Sequence, residues 1–195
     1  MHRTTLLGVL AILAVSQAVT RSQGGAPPKV ATDVTHAEVL TVLKMAQTDQ
    51  QLRVVDIGKY NVGVGILHRV AARATPAGAP APSGVAGLSH NQVTEVYYII
   101  SGGGTLVTGG AMIDPRAEAS NSATVTVLVG PSMSGRFQNG QSRKVGPGDI
   151  VIIPPGVPHG FSSIDDHVDY LSVRVDADHV LPAGYVHDAL RAATR

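Results

Sequence analysis

The chain has 195 residues, 44% of them hydrophobic, which is enough for one domain with a sizeable core and too short for two comfortable ones. Lys+Arg number 15 against 14 Asp+Glu, Trp is absent, and Phe and Tyr number only 2 and 5, so the basic excess and stacking platforms of a nucleic-acid binder are missing. Cys is zero, which excludes disulfides, thiolate metal sites and cysteine nucleophiles, while 22 Gly and 12 Pro favour a turn-rich, all-β protein.

Met1-His2-Arg3 is a short basic start, residues 6–15 are uninterruptedly apolar, and Ser16 and Ala18 supply small residues where a signal peptidase inspects. The run falls short of the ~20 apolar residues that span a bilayer. The expectation is a signal peptide over 1–18 and export to the periplasm or beyond the cell, with no membrane attachment after its removal. Residues 19–34, with Gly24-Gly25 and Pro27-Pro28, read as a flexible arm. Thr35 and Glu38 have capping-box spacing, and apolar residues recur at Ala37, Leu40 and Leu43, predicting one short N-terminal helix over 36–47.

From Leu52 the pattern changes to short apolar runs between turn residues, predicting strands near 51–57, 60–70, 94–100, 104–108, 123–129, 149–153 and 168–175. Residues 71–89 read as a loop beside a cavity, and Ser101-Gly102-Gly103-Gly104 as a tight turn. A single domain spans 35–180, followed by a tail over 181–195.

The mature chain keeps seven histidines, and strand geometry decides which can meet. His90 and Glu95 bracket four residues that can form a hairpin turn, so the imidazole and carboxylate can share a face. Glu95, Tyr97 and Ile99 alternate onto that face; Val96, Tyr98 and Ile100 take the other. The stretch Pro154-Pro155-Gly156-Val157-Pro158 stiffens the backbone before His159, as suits a ligand that must be held in place. Alternation in 60–70 places His68 with Val62, Val64, Ile66 and Val70, an apolar face expected to point into a barrel. His36, His167, His179 and His187 are expected in solvent, and Arg136 at the surface; Arg174 shares a face with Tyr170 and Ser172, either in a pocket or towards solvent.

Together these two segments resemble the paired motifs of the cupin superfamily. Glu95 with Gly102 fits the end of the first motif, and Gly148, Pro154, Gly156 and His159 fit every spacing of the second, with Ser163 in place of its final Asn. The resemblance covers about 55–175 and implies an RmlC-like jelly roll, that is, a double-stranded β-helix with two Greek keys. The family supplies two histidines from its first motif; here His90 stands alone. If it takes the second position, Leu88 occupies the first; if it takes the first, Gln92 replaces the second. The implied metal ligands are His90, Glu95 and His159, with His68 as a further candidate, for a divalent ion such as Fe, Mn, Zn or Ni. Tyr97, Gln92 and Phe161 are the expected substrate-binding residues. The expected function is oxygenase, isomerase or lyase chemistry on a small organic molecule; a non-catalytic small-molecule binder, metal-free in one form, is the alternative. A homodimer is implied by the resemblance alone.

Overall fold

The computed structural model describes residues 27–72 and 83–192. The expected signal peptide, and residues 73–82 of the expected cavity loop, lie outside the described residues. Helix α1 (His36–Leu43) starts where expected. Thr35 Oγ1 accepts from the Glu38 amide and the Glu38 carboxylate accepts from the Thr35 amide, so two otherwise orphaned donors are satisfied. The helix ends four residues earlier than predicted because the chain tightens there, with Met45 and Ala46 donating to the carbonyls of Val42 and Leu43.

The strands are β1 (Asp49–Asp56), β2 (Asn61–Ala72), β3 (Val85–His90), β4 (Val93–Thr108), β5 (Ala111–Met112), β6 (Arg116–Ala117), β7 (Ser132–Gln138), β8 (Gln141–Val145), β9 (Ile150–Ile153) and β10 (His159–Asp176). A short helix α2 (Asp188–Ala192) follows. All pairings are antiparallel. The two long strands build the barrel, because each contributes one half to each of two sheets. The first half of β4 pairs with β9 and with residues 168–176 of β10, which in turn pairs with β2 and so with β1. The second half of β4 pairs with β8 and with residues 159–164 of β10, and β10 passes to β3 and β7 through His159 opposite Leu88.

The corner in β4 falls at the glycines read from sequence as a turn between strands. Gly102 has φ +64°, and a Cβ there would lie 1.9 Å from the His167 carbonyl oxygen, so only glycine lets β4 bend against the irregular stretch of β10 between Ile164 and Val168. The strand bends rather than reverses.

Three apolar clusters hold the layers. Leu67, Tyr97, Ile99, Leu106, Val151, Ile153 and Tyr170 fill the barrel. Val39 and Val42 of α1 cover Leu52 and Ile66 on the outer face of β1 and β2, joined by Leu190 of α2. Leu181 closes one end with Val54 and Val93, so the segment after β10 is docked. No helix among the described residues is long and apolar enough to cross a membrane.

Two expectations need correction. Residues 123–129 do not form a strand: Thr124–Leu128 is a wide helical turn closed by the Val129 amide donating to the Thr124 carbonyl at 2.9 Å. Its β-branched alternation lacks a neighbouring strand to pair with, and propensity yields to tertiary context. Strands β3, β7 and β8 were not expected; Ser132–Gln138 in particular is too polar and too glycine-interrupted to show a two-residue period.

Candidate metal centre

His90 ends β3, Glu95 lies near the start of β4, and His159 begins β10. The expected hairpin between His90 and Glu95 is absent, since β3 pairs with β7 and β10 and β4 with β8, β9 and β10. The two-residue link instead carries the chain from one sheet to the other, and both side chains face the interior between them. The proline-rich turn before His159 is tied to the same place, because the Gly156 amide donates to the His90 carbonyl at 2.7 Å.

The three side chains meet in the barrel, all buried, with one ligand atom from each lying within 4.8 Å of the others. His90 Nε2 is 3.1 Å and His159 Nε2 3.3 Å from Glu95 Oε2. The far nitrogen of each ring is already committed. His159 Nδ1 faces the Val157 carbonyl at 3.0 Å, which can only accept. His90 Nδ1 faces Ser132 Oγ at 2.9 Å, and that hydroxyl donates to the Gly130 carbonyl, so it accepts from the ring. Both Nδ1 atoms therefore carry the proton, and in the neutral rings both Nε2 lone pairs point at a carboxylate oxygen. Such an arrangement is repulsive until a cation or added protons occupy its centre.

Glu95 divides its oxygens between two tasks. Oε1 accepts from Ser172 Oγ at 2.6 Å and from Arg174 Nε at 3.4 Å; Oε2 faces the histidines and accepts from Tyr97 Oη at 2.9 Å. Burial by itself would raise the carboxyl, but once added protons sit on the two Nε2 atoms, hydrogen bonds from His159 and His90 and the charges of His90 and Arg174 outweigh it and hold it well below the usual range. Burial, then the Glu95 charge, pushes the Tyr97 phenol well above its ordinary value, so it stays a donor.

Beneath the cluster Arg174 is fully buried, donating also to Gln51 Oε1 and Asp49 Oδ2. Its burial alone would lower it, but Asp49 and Glu95 more than restore the charged form. Room for it comes from β2, where a Cβ at Gly65 would lie 2.9 Å from Arg174 Cζ. This reverses the expected faces of β2: Gly65 and Leu67 point inward, while Ile66 packs under α1. His68 accordingly is not part of the metal cluster; its Nδ1 lies 2.7 Å from Asp169 Oδ1. His167 is only partly exposed, set against Asp166 and Ser101. Arg136 is anchored to the Ser83 and Gly84 carbonyls.

A cavity of about 530 Å³ opens onto the cluster. Its wall includes Tyr97 and Phe161, together with Leu88 and the wide turn at Thr124 and Leu128. Gln92 is not on the wall, and its side-chain oxygen is buried without a partner among the described residues, a correction to its expected role as a substrate contact. Leu88 lies two residues before His90 on the same strand and also lines the cavity. Sequence reasoning missed Ser132, Asp49 and Arg69 as site residues and left Ser172 only as a face-mate of Arg174, because each becomes meaningful only through a partner far along the chain.

Two sheets sharing long bent strands, with His90, Glu95 and His159 of β3, β4 and β10 converging inside, define a double-stranded β-helix of the cupin type. Residues 135–184 match the AraC-like ligand-binding domain, a cupin-related family, across the segment that carries the second motif. Among solved structures, the chain is similar to a cupin protein from Bacteroides fragilis, at 20% identity over 64% of this chain and 72% of that one, with a TM-score of 0.35. It is also similar to a protein from Bacillus halodurans, at 15% identity over 88% of this chain and 100% of that one, with a TM-score of 0.43. A third is an RmlC-like cupin family protein from Methanocaldococcus jannaschii, at 14% identity over 68% and 84% of the two chains, with a TM-score of 0.33. No curated protein matches the chain.

Proposed function

We propose that this chain holds one divalent metal ion through His90, Glu95 and His159 and acts on a small organic molecule in the adjoining cavity. The observation that carries this reading is the commitment of both histidine Nδ1 protons to Ser132 and Val157, which leaves two Nε2 lone pairs and Glu95 Oε2 aimed at a common point. Two imidazoles and one carboxylate suit Fe(II), with Mn(II), Zn(II) and Ni(II) also accommodated, and leave coordination positions open. A bound ion would supply Lewis acidity or dioxygen activation, which admits oxygenase, isomerase or lyase chemistry. The chain's own residues bind and orient: Tyr97 donates to Glu95 Oε2, Ser172 and Arg174 fix the other oxygen, and Leu67, Leu106 and Phe161 line the cavity with apolar surface.

Elemental analysis of the purified mature protein tests the site. About one equivalent of metal is expected, falling to a small fraction in His159→Ala; a metal content unchanged by that substitution, or no uptake from Fe, Mn, Zn or Ni, refutes it. A second reading, a non-catalytic binder, is favoured by the match of 135–184 to a ligand-binding domain. Turnover separates the two: dioxygen uptake or product formation with candidate substrates supports the enzyme, whereas saturable binding without turnover supports the binder. We further propose export by the segment 1–18, to be read from cell fractionation. We assign a homodimer to the outer apolar row of Tyr98, Ile150 and Ile152, the last two being 64% and 68% exposed, to be read from light scattering.

A further inference from the structure

Arg69 lies two residues after Leu67 on β2 and lines the same cavity as the His90–Glu95–His159 cluster. Its Nε donates to Tyr170 Oη at 2.8 Å. Neither of its terminal nitrogens has a hydrogen-bond partner among the described residues. The anchor is firm, because Tyr170 is 1% exposed and its ring packs against Tyr97 with centroids 4.4 Å apart. The guanidinium is therefore fixed through Nε while its two-nitrogen end is left for something else. A planar fork of two N–H donors matches a carboxylate in bidentate fashion.

The charges around the cavity lead to the same conclusion. Asp49 and Glu95 are both engaged with Arg174, and Asp169, set against His68, Ser101 and His167, does not line the cavity. Two carboxylates then balance the two guanidiniums of Arg69 and Arg174. A divalent ion at the cluster leaves two positive charges uncompensated between largely apolar walls, where unbalanced charge is costly. An anionic ligand removes that imbalance and a neutral one does not.

We propose that Arg69 is the carboxylate-binding residue of this cavity and that the ligand is a small organic acid. Its carboxylate takes the free end of Arg69, and its body lies along Tyr97, Tyr170 and Phe161. The charge argument rests on the metal-centre reading above; the geometry of Arg69 stands apart from it. The cavity volume of about 530 Å³ is in the range of small-molecule sites.

The test is calorimetric titration of the mature protein, metal-loaded and metal-stripped, with acetate, malonate, succinate and glutarate, with neutral succinamide, and with inorganic phosphate. At least one carboxylate is expected to bind, with succinamide at least tenfold weaker than succinate. Arg69→Gln is expected to lose at least tenfold in carboxylate affinity with unchanged metal content. Arg69→Lys, which keeps the charge without the fork, is expected to lose affinity as well, and thermal melting confirms that each variant is folded. Carboxylate affinity unchanged in Arg69→Gln, equal binding of succinamide, preference for phosphate, or no carboxylate binding to either form would each overturn the proposal. Metal content is measured separately. Its absence would therefore refute the metal centre alone, and the dependence on Arg69 in the metal-stripped protein would still decide the anion site.

Discussion

Replacing Arg174 by Met removes a buried cation while keeping much of its volume. The wild-type guanidinium donates to Asp49, Gln51 and Glu95, and Arg174 is wholly inaccessible. In Arg174→Met two carboxylates share the site with no countercharge, and Asp49 Oδ1 already lacks a partner. Removing one member of a buried ion pair costs about 3–5 kcal/mol, because the partner stays desolvated and unbalanced. The lower part of that range is expected, since the Asp49 side chain keeps 20% exposure and can recruit water, whereas Glu95 keeps 2%. For a chain of this size about 1 kcal/mol shifts the melting temperature by roughly 2–4 °C, so about 3–4 kcal/mol predicts a fall of about 6–16 °C. The assay is urea denaturation of the metal-stripped protein, with the midpoint falling at constant slope. The triple variant Arg174→Met, Asp49→Asn, Glu95→Gln removes the charges together and should recover most of the loss. A loss under about 1 kcal/mol in the single variant, or no recovery in the triple, would refute the view that Arg174 neutralises this core.

Other consequences follow from the same contacts. Ser132→Ala removes the acceptor that holds the His90 Nδ1 proton, and metal affinity should fall about 10–100-fold with little change in melting temperature, as read by competition with a chelator. Glu95 is held below its ordinary value of about 4.3, so its stabilising contribution is complete above that pH and is lost as pH falls through the folded value. Urea midpoints of the metal-stripped wild type should therefore drop more steeply as pH falls below about 4.3 than those of Glu95→Gln; parallel profiles would contradict this. Leu88→His places an imidazole on the cavity wall beside His90, and metal affinity should rise at least tenfold if that position is the vacant ligand corner.

The barrel was legible because its defining signals are local. Thr35 and Glu38 announce α1, alternation in 93–100 announces the inward face of β4, and the glycines and prolines around His159 announce the turn that presents it. The same signals brought together His90, Glu95 and His159, which meet in the buried cluster, while His68 lies outside it for an instructive reason. A face of Val, Ile and His looked interior and a face of Gly, Leu and Arg looked exterior, but the first is buried under α1 and the second is hollowed by glycine to receive Arg174. Apolarity reports burial, and a sheet covered on both sides has two buried faces. Arg174 itself could not be assigned, because its partners Asp49 and Gln51 lie more than a hundred residues away.

The division of labour within Glu95 explains why the site and the core cannot be varied independently. A ligand carboxylate with one oxygen free to rotate would lose its aim at the histidines; here Ser172 and Arg174 hold Oε1, so Oε2 is directed by the packing of β10 against β4 and β2. The same contacts make Glu95 the partner that keeps Arg174 neutralised. Glu95→Ala would thus strip the metal site and unbalance the core in one step, and its loss of metal could not be assigned to ligation. Ser132→Ala and His159→Ala leave the Arg174 network intact. A loss of metal in those two variants, at unchanged melting temperature of the metal-stripped protein, is what distinguishes a ligand set from a structural polar cluster.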